Sequence, residues 1–328
     1  MPTAVVTGAT GFLGGHLVRL LCDRGYQVRA LYRSESTLAT LRGLPVETFR
    51  GDISDVPSLD AALQGKPELL FHVAASTASW KPKFAEQTRI NVGGTRNVVQ
   101  AALRAGVGRM VHTSSVAVYG LTDEVISETS PQLGRGSWIN YSDTKARGED
   151  EVRAGIKAGL DAVICNPTHI FGPGDTHNWA RLILMVDQQK LPGVPPGSGA
   201  FVDVREAALA HIHAAERGVC GENYLLGGEE TTFLDLVQRI GRQLGKPTPA
   251  RSIPAFALKA VAQAKDWLSR LTGREPDLTP ESVAFVCHHM HCDISKAKAQ
   301  LDLKVTPLDH LLADTVQWLR EQKLVAAR

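Results

Sequence analysis

Tyr141 and Lys145 are four residues apart at the start of a segment with helical periodicity, so both side chains project from one helix face. A phenol with an ordinary pKa of about 10 transfers protons poorly at neutral pH, and a fixed ammonium one turn away favours the phenolate. The pair reads as a proton-transfer group with its electrostatic partner. Tyr-x3-Lys alone is common by chance, and its context gives it meaning. Ser115 is expected at the end of a strand within 111–120, and an open parallel sheet delivers such a hydroxyl to its carboxyl edge, where ligands sit. Its neighbour Ser114 reads as a satisfied strand hydroxyl.

A second set of residues points to what binds beside these three. The first strand runs into Gly8-Ala9-Thr10-Gly11-Phe12-Leu13-Gly14, ahead of an amphipathic helix. Gly8 permits a tight turn, Gly11 lets the backbone approach a pyrophosphate, and Gly14 allows close helix–sheet packing. The N–H groups of Phe12 and Leu13 would face the phosphates at the positive helix end. The end of the second strand discriminates between dinucleotides, because an acid there binds a ribose 2′-hydroxyl and an arginine accommodates a 2′-phosphate. This chain has Arg33-Ser34, with Glu35 beyond, so NADP(H) is expected, with Arg33 as a charge-assisted clamp and Ser34 as a hydroxyl donor. NAD(H), with Glu35 swinging back, is the alternative.

The elements that must hold these residues are legible as short Val-, Ile- and Leu-rich runs alternating with helical segments. Strands are expected at 4–7, 28–32, 47–50, 69–73, 109–114 and 162–166, and helices at 13–24, 58–64, 90–105 and 142–158. That pattern is α/β, a doubly wound parallel sheet of the Rossmann kind. The dinucleotide-binding domain is expected over 1–168, with 200–228 returning to it, and a smaller, interleaved C-terminal substrate-binding lobe over 169–328. The segment 308–323 has the periodicity of a packed closing helix.

The chain has 328 residues, 43% hydrophobic and 21% charged, which excludes disordered and fibrous classes. Thirty-six basic against 34 acidic residues leave a charge of +2, and nothing in it indicates nucleic acid or an anionic membrane. Five scattered cysteines suit reduced thiols. No apolar run approaches the roughly 18–20 residues of a membrane span, and residues 1–7 lack a leader pattern, so a cytoplasmic protein is expected. The run Cys287-His288-His289-Met290-His291-Cys292 is dense in soft ligands, but its side chains would alternate between faces, so no metal site is expected.

Seven motifs stand in order: Thr7 to Gly14, Gly51-Asp52, His72-Val73-Ala74-Ala75, Asn91-Val92-Gly93-Gly94-Thr95, Thr113-Ser114-Ser115, Tyr141-Ser142-Asp143-Thr144-Lys145 and Asn166-Pro167-Thr168-His169-Ile170-Phe171-Gly172-Pro173-Gly174. On these the chain resembles the extended short-chain dehydrogenase/reductase family, of NAD(P)-dependent epimerase/dehydratase type. The resemblance implies that Tyr141 is general acid/base, Lys145 its electrostatic and ribose-binding partner, and Ser115 the group orienting the substrate oxygen. It implies that Asp52 and Ile53 flank the adenine, that Ala74 and Ala75 line the cofactor by backbone, that Asn91 lies near it, and that Pro167 belongs to the cofactor set.

Segments 28–33 and 166–168 are most similar to the dihydroflavonol-4-reductase-like branch. Many nucleotide-sugar epimerases carry an arginine before the Phe-Val-x-Val segment, where this chain has Ser198-Gly199-Ala200; Arg181 could substitute for it. Candidate substrate walls are Ser76, Thr77, Trp80, Trp138, His169, Phe171 and Trp179, whose aromatics favour an apolar or aromatic carbonyl compound. The expected function is NADP(H)-dependent hydride transfer at a secondary alcohol/ketone carbon of a small molecule. The alternatives are a nucleotide-sugar epimerase/dehydratase with tightly bound NAD(P), and a non-enzymatic dinucleotide sensor. The resemblance also implies a homodimer through a four-helix interface of 97–105 and 145–157.

Overall fold

A computed structural model describes residues 1–176 and 178–326. Its strands in chain order are β1 (Thr3–Thr7), β2 (Gln27–Tyr32), β3 (Val46–Arg50), β4 (Leu69–His72), β5 (Arg109–Thr113), β6 (Ala162–Pro167), β7 (His169–Phe171), β8 (Ser198–Asp203), β9 (Asn223–Leu226) and β10 (Glu229–Thr232). The helices are α1 (Phe12–Asp23), α2 (Val56–Ala62), α3 (Phe84–Thr88), α4 (Thr95–Ala105), α5 (Asn140–Lys157), α6 (Ala180–Asp187), α7 (Val204–Arg217), α8 (Phe233–Leu244), α9 (Ala255–Thr272), α10 (Pro280–Cys287), α11 (Ser295–Leu301) and α12 (Leu308–Glu321).

Seven strands form one all-parallel sheet in the order β3-β2-β1-β4-β5-β6-β9, a Rossmann-type fold. The two-residue period of a strand sends alternate side chains to opposite faces. Ala4, Val6, Phe71, Val111 and Val163 share one core with α1 and α7. Val5, Leu70, Met110 and Ile164 share another with α2, α4 and α5. Covering both faces is why these strands read as continuous apolar runs. The chain reverses its winding between β1 and β4, so the crevice of the fold opens beyond Thr7 and His72.

The structure departs from the sequence reading in two places. Of the segment 200–228, α7 and β9 join the large sheet's layer, but β8 does not. It is the middle strand of a separate small sheet, β10-β8-β7, whose buried aromatic side chains belong to a third core with α8 and α12. The helix expected at 90–105 begins earlier: α3 continues through a π turn, Arg89–Gly94, into α4. Such turns displace a side chain from the regular ladder, and here the displaced turn contains Asn91. The closing helix α12 is packed as expected, with Leu308, Leu311, Leu312 and Leu319 buried.

Candidate active site

The glycine turn is shaped by contacts that no side chain tolerates. Gly8 has φ +70, and a Cβ there would stand 2.7 Å from the Ala74 backbone nitrogen; one on Gly14 would stand 2.1 Å from the Gly8 carbonyl oxygen. The Gly11 N–H donates to that same carbonyl at 2.9 Å, closing the turn. α1 then begins at Phe12 with Gly11 at its N-cap, no side chain capping it and no acid in its first turn. The leading N–H groups are left to an anion at the positive end of the helix, an arrangement that fits a pyrophosphate.

Arg33, at the end of β2, is 71% exposed, and its guanidinium stands 3.8 Å from the Asp52 carboxylate. Ser34 is exposed beside it, bonded to Ser36 at 2.8 Å. Burial opposes ionisation of Asp52, but hydrogen bonds from Ser54 and the charges of Arg33 and Arg89 outweigh it and hold the carboxyl below its ordinary value. Ile53 is buried, Ala74 is half-buried and Ala75 is exposed along the crevice edge. Pro167 ends β6, paired with Leu226 of β9.

Ser115 follows β5 and caps the short 3₁₀ turn Val116–Tyr119, accepting from the Ala117 N–H at 3.2 Å. Its hydroxyl interacts with the half-buried Tyr141 phenol. Ser114 does not behave as read: its hydroxyl is buried without a partner. The expected lysine effect on the phenol is also corrected. Burial raises the Tyr141 pKa, and the hydrogen bond from Ser115 is what pulls against it. Lys145 instead donates from Nζ to the Thr113 carbonyl at 2.8 Å, at the end of β5. Burial brings Lys145 down to about 8, opposed by Glu149 one turn further on.

Several groups that sequence reasoning missed build the frame. Glu149 is fully buried and accepts from Asn166 at 2.7 Å, Gln132 at 2.7 Å and Asn223 at 3.0 Å. Asn166 also donates to the Ser115 carbonyl at 3.2 Å, so one network holds both Ser115 and the Lys145 helix. Asn91, expected near the cofactor, has its amide engaged: it accepts from the Ser76 N–H at 2.7 Å and donates to the Ser76 carbonyl at 2.9 Å and to Thr144 at 3.1 Å. It ties the loop after β4 to α5.

Glu281 of α10 accepts from the Asn140 N–H at 2.6 Å, capping α5 from 141 residues away. Its second carboxylate oxygen is buried without a partner, and burial raises its pKa to about 7. Beneath the site lies His72, buried and lowered to about 3, bonded to Thr7 at 2.8 Å and Thr95 at 3.1 Å. Thr95 donates to the Asn91 carbonyl, so it must accept from His72 Nε2–H, which assigns the neutral tautomer.

The expected substrate walls divide. Phe171 is 1% exposed and belongs to the core of the small lobe, because on β7, beside β8 in the small sheet, its ring packs against Phe201 at 6.4 Å. His169 and Trp179 join an aromatic cluster with Phe201 and Phe233, where Trp179 stacks on Phe233 with ring centres 5.5 Å apart. Burial lowers His169 to about 4. Ser76 and Thr77 lie along the loop after β4, where Trp80 donates to Ser269 of α9 at 3.2 Å. Trp138 is exposed and lines a cavity of about 510 Å³ between α9 and α10. That cavity is not lined by Ser115, Tyr141 or Lys145; Phe285 of α10 packs on the Tyr141 ring at 6.5 Å.

The 287–292 segment scatters its side chains, His289 to Ser198 and His291 to Glu230. Among the described residues no cluster of three metal-ligating side chains forms, and no helix is long and apolar enough to cross a membrane. All five cysteines are free.

The model of the NAD dependent epimerase/dehydratase family matches residues 4–227. The sterol demethylase protein B of Methylococcus capsulatus is 36% identical, over 98% of this chain and 100% of its own. A putative dihydroflavonol 4-reductase of Synechocystis sp. is 33% identical, over 98% and 95%. The crystal structure of gox2253 superposes with a TM-score of 0.86 at 34% identity, covering 99% of this chain and all of that one.

Proposed function

The chain belongs to the NAD dependent epimerase/dehydratase family and is an NAD(P)-dependent oxidoreductase of the extended short-chain type; from that premise we propose that it moves a hydride between NADP(H) and a secondary alcohol/ketone carbon of an apolar, fused-ring small molecule. The observation that carries this reading is the Ser115–Tyr141 hydroxyl pair at the carboxyl end of β5, beside a glycine cradle that only a backbone-hugging ligand fits.

When bound, a dinucleotide would supply the hydride chemistry of the site. Gly8, Gly11 and Gly14, with the N–H groups of Phe12 and Leu13, would hold its pyrophosphate; Arg33 and Ser34 would hold a 2′-phosphate; Asp52, Ile53, Ala74, Ala75 and Pro167 would border the rest. Ser115 orients the substrate oxygen. Tyr141 gives that oxygen its proton as the carbonyl is reduced, and takes it back on oxidation. Burial raises the phenol's pKa, against the pull of Ser115, and the phenol form is the one that can give the carbonyl oxygen its proton. One of the three Lys145 donors is used by Thr113, and the others are assigned to the ribose. Asn91 acts by positioning the loop and α5.

The names of two relatives refer to a sterol and a dihydroflavonol, both fused-ring molecules, and Trp80, on the loop after β4, suits a ring-bearing substrate. Where an epimerase would place its diphosphate-binding arginine, this chain has the buried Ser198, Gly199 and Ala200. A homodimer through α4 and α5 and a cytoplasmic setting belong to this proposal, and the protein's mass in solution tests the first of these. The function is tested by following NADPH oxidation by the full chain with alicyclic and aromatic ketones, with NADH and nucleotide-sugars in parallel. Turnover of a ketone with NADPH is expected. Sugar interconversion with a tightly held dinucleotide and no ketone turnover would overturn the reading.

A further inference from the structure

α9 is an inverted helix. Its inner face is small and polar, with Ala262, Asp266 and Ser269 buried, while Phe256, Val261, Ala264, Trp267, Leu268 and Leu271 face outward. Phe256 is 77% exposed, Trp267 64% and Leu271 68%. At about 100° per residue these six span a sector of roughly 140°, centred opposite the buried face. Soluble proteins seldom present an apolar stripe of this kind without an occupant.

The charges beside the stripe say what that occupant is. On the same geometry Lys265 falls on one side of the sector, and Lys259 and Arg270 on the other. From Arg251 to Arg274 there are five basic residues and one acid, Asp266. Asp266 is paired with Arg270, and Lys265 reaches Asp277; Arg251, Lys259 and Arg274 make no ion pair among the described residues. The whole-chain charge of +2 averages away this local excess.

We propose that the outward face of α9 docks the protein on an anionic lipid surface, with the helix lying in the plane of the headgroups. A large aromatic and leucine face flanked by lysine and arginine is the composition of such helices. A second copy of the chain is a poorer occupant, because a two-fold contact through this face would set basic flank against basic flank. At the edge of the docked face, Lys259 and Gln263 of α9 line the cavity of about 510 Å³, to which α10 contributes Val283, Ala284 and Cys287. The docking stands on α9 alone and does not depend on the reaction proposed above.

Flotation of the full chain with vesicles tests it. Vesicles of phosphatidylglycerol and phosphatidylethanolamine should carry the protein upward, and vesicles of phosphatidylcholine at least tenfold less. The double variant Trp267→Ser/Leu271→Ser, changed only at exposed positions and checked for an unaltered melting midpoint, should lose flotation by tenfold or more. Absence of flotation with the anionic vesicles would overturn the proposal, as would equal flotation of the double variant. A variant that turns a dimer into a monomer with flotation unchanged would assign the face to a second copy instead.

Discussion

Lys145 lies one helical turn beyond Tyr141, yet its ammonium is aimed at the Thr113 carbonyl, and the phenol's immediate partner is Ser115. Spacing put both residues on one helix face, which was readable, but where a four-carbon side chain points depends on the strand it packs under. The glycines were legible for a firmer reason: a Cβ at Gly8 or Gly14 collides with backbone, so residue type and geometry determine each other. Glu281 was not legible, since its partner is 141 residues away and no local pattern marks a cap supplied by another lobe. Phe171 was read as a wall and is core, because aromatic type alone does not distinguish the two. At this scale the proposed preference for NADP(H) rests on Arg33, exposed after β2. Charge-assisted bonds of about 1.5–3 kcal/mol imply that Arg33→Ala weakens NADPH by about ten- to a hundredfold and leaves NADH nearly unchanged. Titration of both dinucleotides by fluorescence checks this; equal loss for the two would remove Arg33 from the 2′-phosphate.

At the scale of elements, periodicity located six of the seven large-sheet strands, because the central ones, β1, β4, β5 and β6, are buried and read as apolar runs, while the edge strand β3 is largely exposed. β8 was misplaced for the same reason: all six of its residues are buried, and a buried strand does not announce which sheet it joins. The junction of α10 with α5 gives a pH-dependent test. Glu281 is raised to about 7 in the native state from an ordinary value of 4.5. Between these values the unfolded chain has lost a proton that the native chain keeps, so this group's contribution to stability falls as pH rises from 4.5 to 7. Glu281→Gln keeps an acceptor for Asn140 and has no proton to lose. It should gain stability relative to the parent across that window and hold a constant difference above it, read from urea midpoints at pH 5 and 7.5. A difference independent of pH would show that the carboxyl does not titrate in this way.

Over the whole molecule, the fold class was legible from the alternation of strands and helices, while the small sheet and the outward face of α9 required coordinates. The buried histidines predict how the molecule responds to acid. His72 is lowered to about 3, His169 and His211 to about 4, and His112 well below its ordinary value, all chiefly by burial. Below the ordinary value of 6.5 the unfolded chain takes up protons that the native chain refuses. Stability should therefore be full above that point and fall as pH drops toward 4. Each histidine contributes up to about 1.4 kcal/mol per pH unit, outweighing the opposite slope of Glu281. Urea midpoints unchanged from pH 7 to 5 would contradict this.

The most direct measurement compares the parent chain with Tyr141→Phe for NADPH oxidation with a ketone that the parent turns over, alongside NADPH binding to both. Removing only the phenolic oxygen should lower kcat by about a hundred- to ten-thousandfold and leave the NADPH Kd within about twofold. Retained turnover in the variant would contradict the assignment of proton transfer to Tyr141.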